Sequence, residues 1–401
     1  MKNIQERIEC SQVRWNNKSC QEKFGIHDKD CLCLWIADSD LPLSDEINKY
    51  LVERTKHPYY GYNTLDQNFI DSFLKYHKEV RGQDIDLKDV FFTPGTVFSF
   101  SNVLQAISQE NDGVLMNTPI YAPLYNVSSL LKREINIVRL QNIDERFYFD
   151  FQQIEKAFKE KNIKVFVMVS PLNPSGRIWE HDELKQIVEL CKKYNVYIIS
   201  DEIHCDVIFG DKKFVSMLDF FTDYKNIIVL TSVNKTFNIA GVQVGWGIIK
   251  DKEIYNKVKE TLALTHTMEV PNIFAQALME GCFKEGNDFF VKSMDLYKKN
   301  YLWMKEYLIN NIEGIKVMEL ESTFLPYICF KQTKISNEDM KDLLWHKAKV
   351  LVQFNEDFVD DDKYSYFRIN VATTFEIIQE ACYRIATVIN NFKKEKLTNE
   401  K

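Results

Sequence analysis

The sequence lacks the long apolar runs and dense basic segments that would indicate a membrane or nucleic-acid partner. No stretch approaches the roughly 18 apolar residues that a membrane-spanning helix needs, and the opening MKNIQERIEC contains no apolar signal-peptide core. The net charge is −7 and the isoelectric point is about 5.7. Binding to nucleic acid or to a membrane is therefore not expected. These features predict a soluble, cytoplasmic protein.

The cysteines also lack an organised pattern. Nine cysteines is an odd number, and their spacing does not resemble a disulfide framework. Cys191 and Cys205 lie in apolar contexts, which favours reduced and buried thiols. Cys31 and Cys33 have no second pair of Cys or His residues at the spacing of a zinc site. We therefore expect no metal site.

Short, continuously apolar runs predict strands that are covered on both faces of a sheet. These runs are residues 113–119, 165–171, 196–202, 227–232 and 243–249. Segments with helical spacing lie between them, such as residues 181–195, where apolar residues recur every three or four positions. This alternation predicts an α/β fold with a mostly parallel, doubly wound sheet.

The pattern changes after residue 290. A long helical segment at 289–312 is followed by short strand-like pieces at 323–330 and 366–371 and by a final helical segment. A chain of 401 residues also exceeds the usual size of a single core. We predict a large domain over residues 50–290 and a smaller α/β domain formed by residues 1–49 and 291–401, with a solvated tail at 390–401.

Polar residues follow the predicted strands at the sheet edge where ligands of open α/β folds bind. In chain order these residues are Tyr121, Asn173, Asp201, His204, Ser232 and Lys235. Upstream, the segment FFTPGTVFSFSNVLQAI (91–107) predicts a turn followed by a helix start, whose free backbone N–H groups suit a phosphate. Pyridoxal 5′-phosphate is an aromatic, phosphorylated aldehyde. It fits a site that combines an anion-binding turn, an aromatic ring, an amide, a carboxylate and a lysine.

Four motifs resemble those of a known family. SPLNPSGRIW (170–179), SDEIHCDVIF (200–209), TSVNKTFNIAG (231–241) and YFRIN (366–370) are similar to the motifs of pyridoxal-phosphate enzymes with the aspartate-aminotransferase fold, class I/II, also called fold type I. Within that fold, LWIADSDLPL (34–43), YYGY (59–62) and DEIH (201–204) resemble the cystathionine β-lyase-like C–S lyases, the MalY/PatB branch.

The resemblance implies a role for each matching residue. Lys235 would carry the cofactor as an imine and then act as the base at the substrate Cα. Asp201 would pair with the pyridine nitrogen, Asn173 with the 3′ oxygen, and Tyr121 would stack on the ring. Arg368 would hold the substrate α-carboxylate in a bidentate grip.

Further roles complete the implied site. Gly95, Thr96 and Ser232 would hold the phosphate, and Tyr62 would reach it from a neighbouring subunit of a homodimer, so that the active site lies at the subunit interface. His204 is implied as a cofactor contact and Asp40 as a substrate contact.

The sequence departs from the family pattern at several positions. His204 stands where many aminotransferases have a tyrosine, and Gln243 stands where many have an arginine on the phosphate. The C–S lyase branch shares both departures. Against the branch pattern, Ser39 replaces a common methionine, and INVATTF (369–375) lacks a Cys-Pro-Arg run. These differences concern the substrate rather than the cofactor.

The resemblance implies a small-molecule amino-acid substrate and a β-lyase activity. The reaction would be the α,β-elimination of L-cystathionine or related S-substituted cysteines to a thiol, pyruvate and ammonia. The alternative is a class I/II aminotransferase, which uses the same residues up to the carbanion stage. A third and less favoured alternative is a regulatory protein that binds pyridoxal phosphate and has incidental lyase activity.

Overall fold

The computed structural model describes residues 12–26, 28–265, 269–360 and 365–399. The strands in these ranges are β1 (Leu32–Cys33), β2 (Val90–Thr93), β3 (Gly113–Thr118), β4 (Glu134–Arg139), β5 (Gln141–Ile143), β6 (Arg146–Tyr148), β7 (Ile163–Val169), β8 (Tyr197–Asp201), β9 (Ile227–Thr231), β10 (Gly245–Ile248), β11 (Lys316–Val317), β12 (Tyr327–Cys329), β13 (Val350–Leu351), β14 (Gln353–Phe354) and β15 (Tyr366–Arg368).

The helices of the same ranges alternate with these strands. The α-helices are α1 (Asn17–Phe24), α2 (Asp45–Thr55), α3 (Gln67–Glu79), α4 (Thr96–Ile107), α5 (Ala122–Leu130), α6 (Phe151–Glu160), α7 (His181–Tyr194), α8 (Lys252–Thr265), α9 (Ile273–Glu285), α10 (Asn287–Asn311), α11 (Asn337–Lys341) and α12 (Phe375–Asn399). Short 3-10 turns occur at Val13–Trp15, Leu87–Asp89, Met217–Phe220, Ala240–Val242, Lys331–Thr333 and Asn355–Phe358, and a π-helical segment at Asp342–Lys347. None of these helices is long and apolar enough to cross a membrane.

A seven-stranded sheet with the order β2-β10-β9-β8-β7-β3-β4 forms the centre of the protein. The neighbouring pairs from β9 to β4 are parallel, whereas β10 runs antiparallel to both β2 and β9. Each of the five apolar runs that predict strands lies on one of these strands. The mostly parallel α/β prediction is confirmed, with β10 as the exception.

Helices cover the sheet because their apolar residues lie on one face. In α7, Leu184, Ile187, Val188 and Cys191 are buried, as the helical spacing predicts. A capping box fixes the start of α7, since the Glu180 N–H donates to the Glu183 carboxylate at 2.8 Å. The central strands β3 and β9 are buried at every position, which explains their continuous hydrophobicity.

A second, four-stranded antiparallel sheet has the order β11-β12-β15-β14. The long helices α10 and α12 contribute to its apolar core, which forms a cluster distinct from that of the large sheet. The division of domains at residues 50 and 290 stays a prediction. Residues 391–398 of the predicted solvated tail are mostly exposed, and α12 extends through them to Asn399.

The N-terminal segment is fixed against the smaller sheet. Strand β1 pairs in parallel with β13, and the Asn370 side chain donates hydrogen bonds to the backbone oxygens of Ile36 and Asp38 at 2.5 and 2.7 Å. The buried Arg14 guanidinium binds the carboxylates of Asp38 and Asp40 at 3.1 and 2.9 Å. These contacts carry residues 34–40 past the carboxyl edge of the large sheet.

Candidate active site

A cavity of about 470 Å³ lies at the carboxyl edge of the large sheet. Three parts of the chain line it: the loops after the central strands, the N-terminal segment and the smaller sheet. The lining residues are Trp35, Ile36, Ala37, Thr96, Tyr121, Ala122, Pro123, Asn126, Val169, Asn173, Asp201, Ile203, His204, Lys235, Gln353, Asp357, Phe358 and Arg368. Five predicted site residues from four separate stretches of the sequence therefore meet in one place: Tyr121, Asn173, Asp201, His204 and Lys235.

Lys235 lies in the turn that follows β9, and its side chain enters the cavity. Its Nζ donates a hydrogen bond of 2.7 Å to the backbone oxygen of Ala37. The pKa of Lys235 is lowered from 10.5 to about 8, because burial and the positive charge of Arg368 outweigh the opposing charges of Asp38 and Asp201. A lysine with a lowered pKa supplies more neutral amine, which is the nucleophilic form.

Asp201 is the last residue of β8 and is buried at the base of the cavity. Its Oδ1 accepts a hydrogen bond of 3.2 Å from the Ile203 N–H. Burial raises the pKa of Asp201 to about 6, and the hydrogen bond from Ile203 and the charge of Lys235 act in the opposite direction. The carboxyl group is therefore mostly ionised at neutral pH and ready to accept a cation.

Arg368 reaches the cavity from the last position of β15. Its Nη1 donates to Asn173 Oδ1 at 2.7 Å, and its Nη2 donates to the Trp35 backbone oxygen at 2.9 Å and to Gln353 Oε1. The Phe358 ring lies 4.8 Å from the Arg368 Cζ. Burial lowers the pKa of Arg368 to about 10, so it keeps its charge at neutral pH. Among the described residues, its Nε has no partner.

His204 and Tyr121 complete the inner wall. His204 is buried, and burial together with the charges of Lys235 and Arg368 holds its pKa well below 6.5, so the imidazole is neutral. Within the described ranges its Nδ1 has no hydrogen-bond partner. Tyr121 is the N-cap residue of α5, and burial raises the pKa of its phenol. These two side chains present a neutral ring and a neutral phenol to the cavity.

The N-terminus of α4 forms the other end of the site. Gly95 is the N-cap residue and Thr96 is the first helical residue, so the backbone N–H groups of this turn have no acceptor within the helix. Strand β10 approaches this turn closely, because a Cβ at Gly245 would lie 2.9 Å from the Gly95 carbonyl carbon. A glycine on β10 thus lets the strand pack behind a turn suited to an anion.

The structure does not bring every predicted site residue to the cavity. The Ser232 hydroxyl donates to the Val244 backbone oxygen at 2.8 Å instead. The Asp40 carboxylate binds Arg14 and accepts a hydrogen bond of 2.8 Å from Trp15 Nε1. Tyr62 is 97% exposed. Neither these three nor Gly95 is among the residues that line the cavity, and the roles assigned to all the site residues stay predictions.

Other lining residues were missed from the sequence. Gln353, Asp357 and Phe358 belong to β14 and the 3-10 turn after it, and they carry no motif. The only available signal was their position shortly before the YFRIN motif that contains Arg368. Trp35 lies within a recognised motif, but its contact with Arg368 uses a backbone oxygen, which no residue type encodes.

The two sheets and the lysine-centred cavity between them define an α/β enzyme of the aminotransferase type. The chain belongs to the family "Aminotransferase class I and II", whose model matches residues 44–385. The recognition of the family and the predicted fold class are thereby confirmed.

Several known proteins are similar over nearly the whole chain. Cystathionine beta-lyase PatB from Bacillus subtilis is 27% identical over 96% of this chain and 98% of its own length. The crystal structure of cystalysin from Treponema denticola, which contains a pyridoxal 5′-phosphate cofactor, superposes with a TM-score of 0.91 at 26% identity over 96% of this chain and 97% of its own. An aspartate aminotransferase from Pyrococcus horikoshii is 24% identical over 80% of this chain and 81% of its own length.

Proposed function

We propose that this protein is a pyridoxal-phosphate-dependent cysteine-S-conjugate β-lyase. It would convert L-cystathionine or a related S-substituted cysteine to a thiol, pyruvate and ammonia. The observation that carries the proposal is the convergence of Lys235, Asp201, Asn173 and Arg368 on one cavity. The likeness to a cystathionine beta-lyase over 96% of the chain supports elimination as the reaction.

The residues of the cavity fit the cofactor. Lys235 offers a partly neutral amine to the aldehyde, and Asp201 offers a carboxylate to the ring nitrogen. The Nδ1 of the buried His204, which has no partner among the residues that the structure describes, marks a polar position that a ligand can satisfy. The turn at Gly95 and Thr96 offers backbone N–H groups to the phosphate, and Tyr121 offers a ring face.

Each residue then has a defined task. When bound, pyridoxal phosphate supplies an electron sink for the charge that develops at the substrate Cα. Asp201 keeps a proton on the ring nitrogen, Arg368 binds the α-carboxylate, and Lys235 removes the Cα proton. The Cβ–S bond breaks with its electron pair going to sulfur, and the thiolate leaves. The remaining three-carbon fragment hydrolyses to pyruvate and ammonia.

The lysine also interacts with the N-terminal segment. Because Lys235 Nζ donates to the Ala37 backbone oxygen at 2.7 Å, residues 35–37 are positioned to close the cavity beside the reacting amine. Excluding water there strengthens the interactions of the charged groups. It also keeps the amine pKa low.

The alternative function is that of an aminotransferase, which uses the same residues. The similarity to an aspartate aminotransferase supports this alternative.

One assay distinguishes the lyase from the aminotransferase. Purified protein loaded with pyridoxal phosphate is given L-cystathionine without any keto acid, and pyruvate and ammonia are measured. We expect sustained release of both, and none from a Lys235→Ala variant. A requirement for stoichiometric 2-oxoglutarate, with no net pyruvate, would contradict the lyase proposal.

We further propose a homodimer with its active site at the subunit interface, and a cytoplasmic location. Support for the dimer is the exposure of Tyr59, Tyr60 and Tyr62, residues that are 81%, 59% and 97% exposed in the isolated chain. Support for the location is that eight buried cysteines of the described ranges are free thiols, which suits a reducing compartment. Sedimentation of the holoenzyme tests the dimer, and the Tyr62→Phe variant tests the contact with phosphate.

A further inference from the structure

Two backbone oxygens of the segment 35–38 bind the side chains of Arg368 and Lys235. The Trp35 oxygen accepts from Arg368 Nη2 at 2.9 Å, and the Ala37 oxygen accepts from Lys235 Nζ at 2.7 Å. The segment therefore links the residue proposed to bind the substrate carboxylate with the residue proposed to remove the Cα proton. Since a substitution leaves a backbone oxygen in place, this link depends on the side chains that hold the segment.

The other two backbone oxygens of this segment bind Asn370. The Asn370 Nδ2 donates to the Ile36 oxygen at 2.5 Å and to the Asp38 oxygen at 2.7 Å. Asn370 is buried and lies two residues after Arg368. Successive oxygens of the segment thus bind the cavity and Asn370 in turn, and a rotation of the segment would break both sets of hydrogen bonds.

Arg14 holds both ends of the same segment. The residue is fully buried. Its Nε donates to the Cys33 backbone oxygen at 2.6 Å, and its Nη1 donates to the Asp38 backbone oxygen at 2.8 Å and to Asp38 Oδ1 at 3.1 Å. Its Nη2 donates to Asp40 Oδ2 at 2.9 Å. Because one planar guanidinium binds the chain on both sides of residues 34–37, it fixes their path beside the cavity.

Titratable groups face Lys235 from several parts of the chain. They are Asp38 of the N-terminal segment, Arg368 of β15, Asp201 of β8 and the neutral His204 after β8. Burial lowers the pKa of Lys235, and among the opposing charges Asp38 has a larger influence than Asp201. The carboxylate of the N-terminal segment is therefore the strongest attraction that holds a proton on the amine.

The same Asp38 carboxylate is paired with Arg14. Burial disfavours the charge of Arg14, but the carboxylates of Asp40 and Asp38 outweigh it and raise its pKa, so the guanidinium stays a cation. A carboxylate beside a guanidinium attracts a nearby ammonium less strongly. Arg14 thereby limits the effect of Asp38 on Lys235 and favours the neutral, nucleophilic amine.

We propose that Arg14 is a positioning residue of the active site. It holds residues 34–37 in place beside the amine of Lys235, and it offsets the charge of Asp38 next to that amine. This inference rests on the proposed function, because it assigns how the amine of the same cavity is held and kept neutral.

The test measures the protonation of Lys235 without depending on elimination. The full chain, freed of cofactor, is mixed with pyridoxal phosphate at values between about pH 6 and pH 10, and the initial rate of imine absorbance is followed. Borohydride reduction and peptide mass spectrometry then locate the imine. Since only the neutral amine adds to an aldehyde, the midpoint of the rate profile reports the pKa of Lys235. Pyridoxal phosphate itself titrates equally in every reaction, so differences between variants belong to the protein.

Asp38→Asn and Arg14→Met should move this midpoint in opposite directions. Loss of the Asp38 charge should lower the midpoint by at least about 0.5 pH unit, and loss of the Arg14 charge should raise it by a similar amount. Asparagine keeps an oxygen that can accept from the guanidinium, so Asp38→Asn preserves the contact. In the double variant, loss of Arg14 should have less effect than it has alone, because the charge that it offsets is gone.

Two further measurements separate positioning from general stability. Arg14→Lys keeps a charge but not the planar fork, so its midpoint should lie between those of the wild type and Arg14→Met. If Arg14→Met does not fold, the sign of the shift in Arg14→Lys decides. Amide hydrogen exchange of residues 33–40 in the cofactor-free chain should be faster in the Arg14 variants than in the wild type.

The control variant is Arg177→Met. Arg177 is also buried, and it donates to the Phe147 backbone oxygen at 3.1 Å and pairs with Glu183 at 2.7 Å. It is not among the residues that line the cavity. We expect Arg177→Met to lower stability but to leave the midpoint and the exchange of residues 33–40 unchanged.

Two outcomes would overturn the inference: a wild-type midpoint in either Asp38→Asn or the Arg14 variants, or shifts of the same sign in both. If borohydride fixes no cofactor to Lys235 in the wild type, the proposed function itself fails.

Discussion

Arg81 forms a buried, doubly hydrogen-bonded ion pair with Asp206. Nε lies 2.8 Å from Oδ1 and Nη2 lies 2.7 Å from Oδ2. Both partners hold the turn that carries Lys235: the Thr236 hydroxyl donates to Asp206 at 2.6 Å, and Arg81 donates to the Ser232 backbone oxygen at 3.1 Å. Ser232 and Thr236, on either side of the lysine, are therefore tied to one buried charged pair.

Replacing Asp206 by asparagine should strongly destabilise the protein. The substitution leaves the Arg81 charge buried without a counter-charge, and breaking such a pair costs about 3–5 kcal/mol. Denaturant unfolding of the two proteins measures the difference. Glu155→Gln is the control, since Glu155 pairs with Lys193 at 2.7 Å on the surface, where we expect a much smaller loss than at Asp206. Equal effects of the two substitutions would contradict the structural role of the Arg81–Asp206 pair.

The sequence predicts the parts of the site that are encoded locally. Asp201 ends β8, and Asn173 and Lys235 each lie four residues after the end of a strand, β7 and β9, so the apolar runs place them at one sheet edge. The antiparallel direction of β10 was not predictable, because a continuous apolar run is the same for either direction. The hydroxyl of Ser232 turns away from the cavity because the Val244 backbone oxygen lies within reach, and this contact depends on how β10 packs.

The contributions of the smaller sheet depend on contacts between distant parts of the chain. Asp357 meets Lys23 across 334 residues, and Arg14 meets Asp40 across 26 residues. No local pattern distinguishes these residues from solvated charges. The strand-like piece predicted at 366–371 does contain the strand of Arg368. That strand is β15, and its three residues, Tyr366, Phe367 and Arg368, are all buried.

The lowered pKa of Lys235 predicts how the stability of the cofactor-free protein depends on pH. Below about pH 8 the amine is protonated in both the folded and the unfolded states, and burial of this charge costs stability. Between pH 8 and 10.5 the unfolded state binds more protons, so stability rises with pH through this window. Lys235→Met should therefore stabilise the cofactor-free protein more at pH 7 than at pH 10.5. Denaturant unfolding at the two values, compared with the wild type, measures the change. A difference that does not vary with pH would contradict the shifted pKa.

Replacing Asp201 by alanine should abolish most of the activity while the fold is kept. Burial raises the pKa of this carboxyl to about 6, so its ionised form does not stabilise the fold, and we expect little change in unfolding. Without the carboxylate the ring nitrogen loses its counter-charge, and several kcal/mol of carbanion stabilisation are lost, or at least ~10³-fold in rate. Single-turnover rates with L-cystathionine, measured on protein that still shows the imine absorbance, provide the test. A loss below tenfold would mean that Asp201 serves only to hold the Ile203 turn.

Arg368 should be needed both to bind the substrate and to position it. Its guanidinium is already oriented by Asn173, Trp35 and Gln353, so a carboxylate meets a fork that is held in place. Fixing the α-carboxylate would hold the substrate Cα–H bond in one orientation towards Lys235, which favours removal of the proton. We expect Arg368→Ala to raise KM strongly and to lower kcat, with a combined loss in kcat/KM of at least about 100-fold. That loss corresponds to one or two charge-assisted hydrogen bonds of about 1.5–3 kcal/mol each.

Arg368→Lys should recover only part of this loss, because an ammonium provides the charge but not the planar pair of donors. Arg177→Lys is the matched control. Arg177 is equally buried, and its Nη2 binds Glu183 at 2.7 Å, but it is not among the residues that line the cavity. Steady-state kinetics with S-butyl-L-cysteine, which has no distal charge, isolates the effect on the α-carboxylate. If Arg368→Lys restored full activity, simple charge neutralisation would suffice and the bidentate grip would be refuted. If Arg368→Ala changed KM alone, the guanidinium would bind the substrate without orienting it for proton removal.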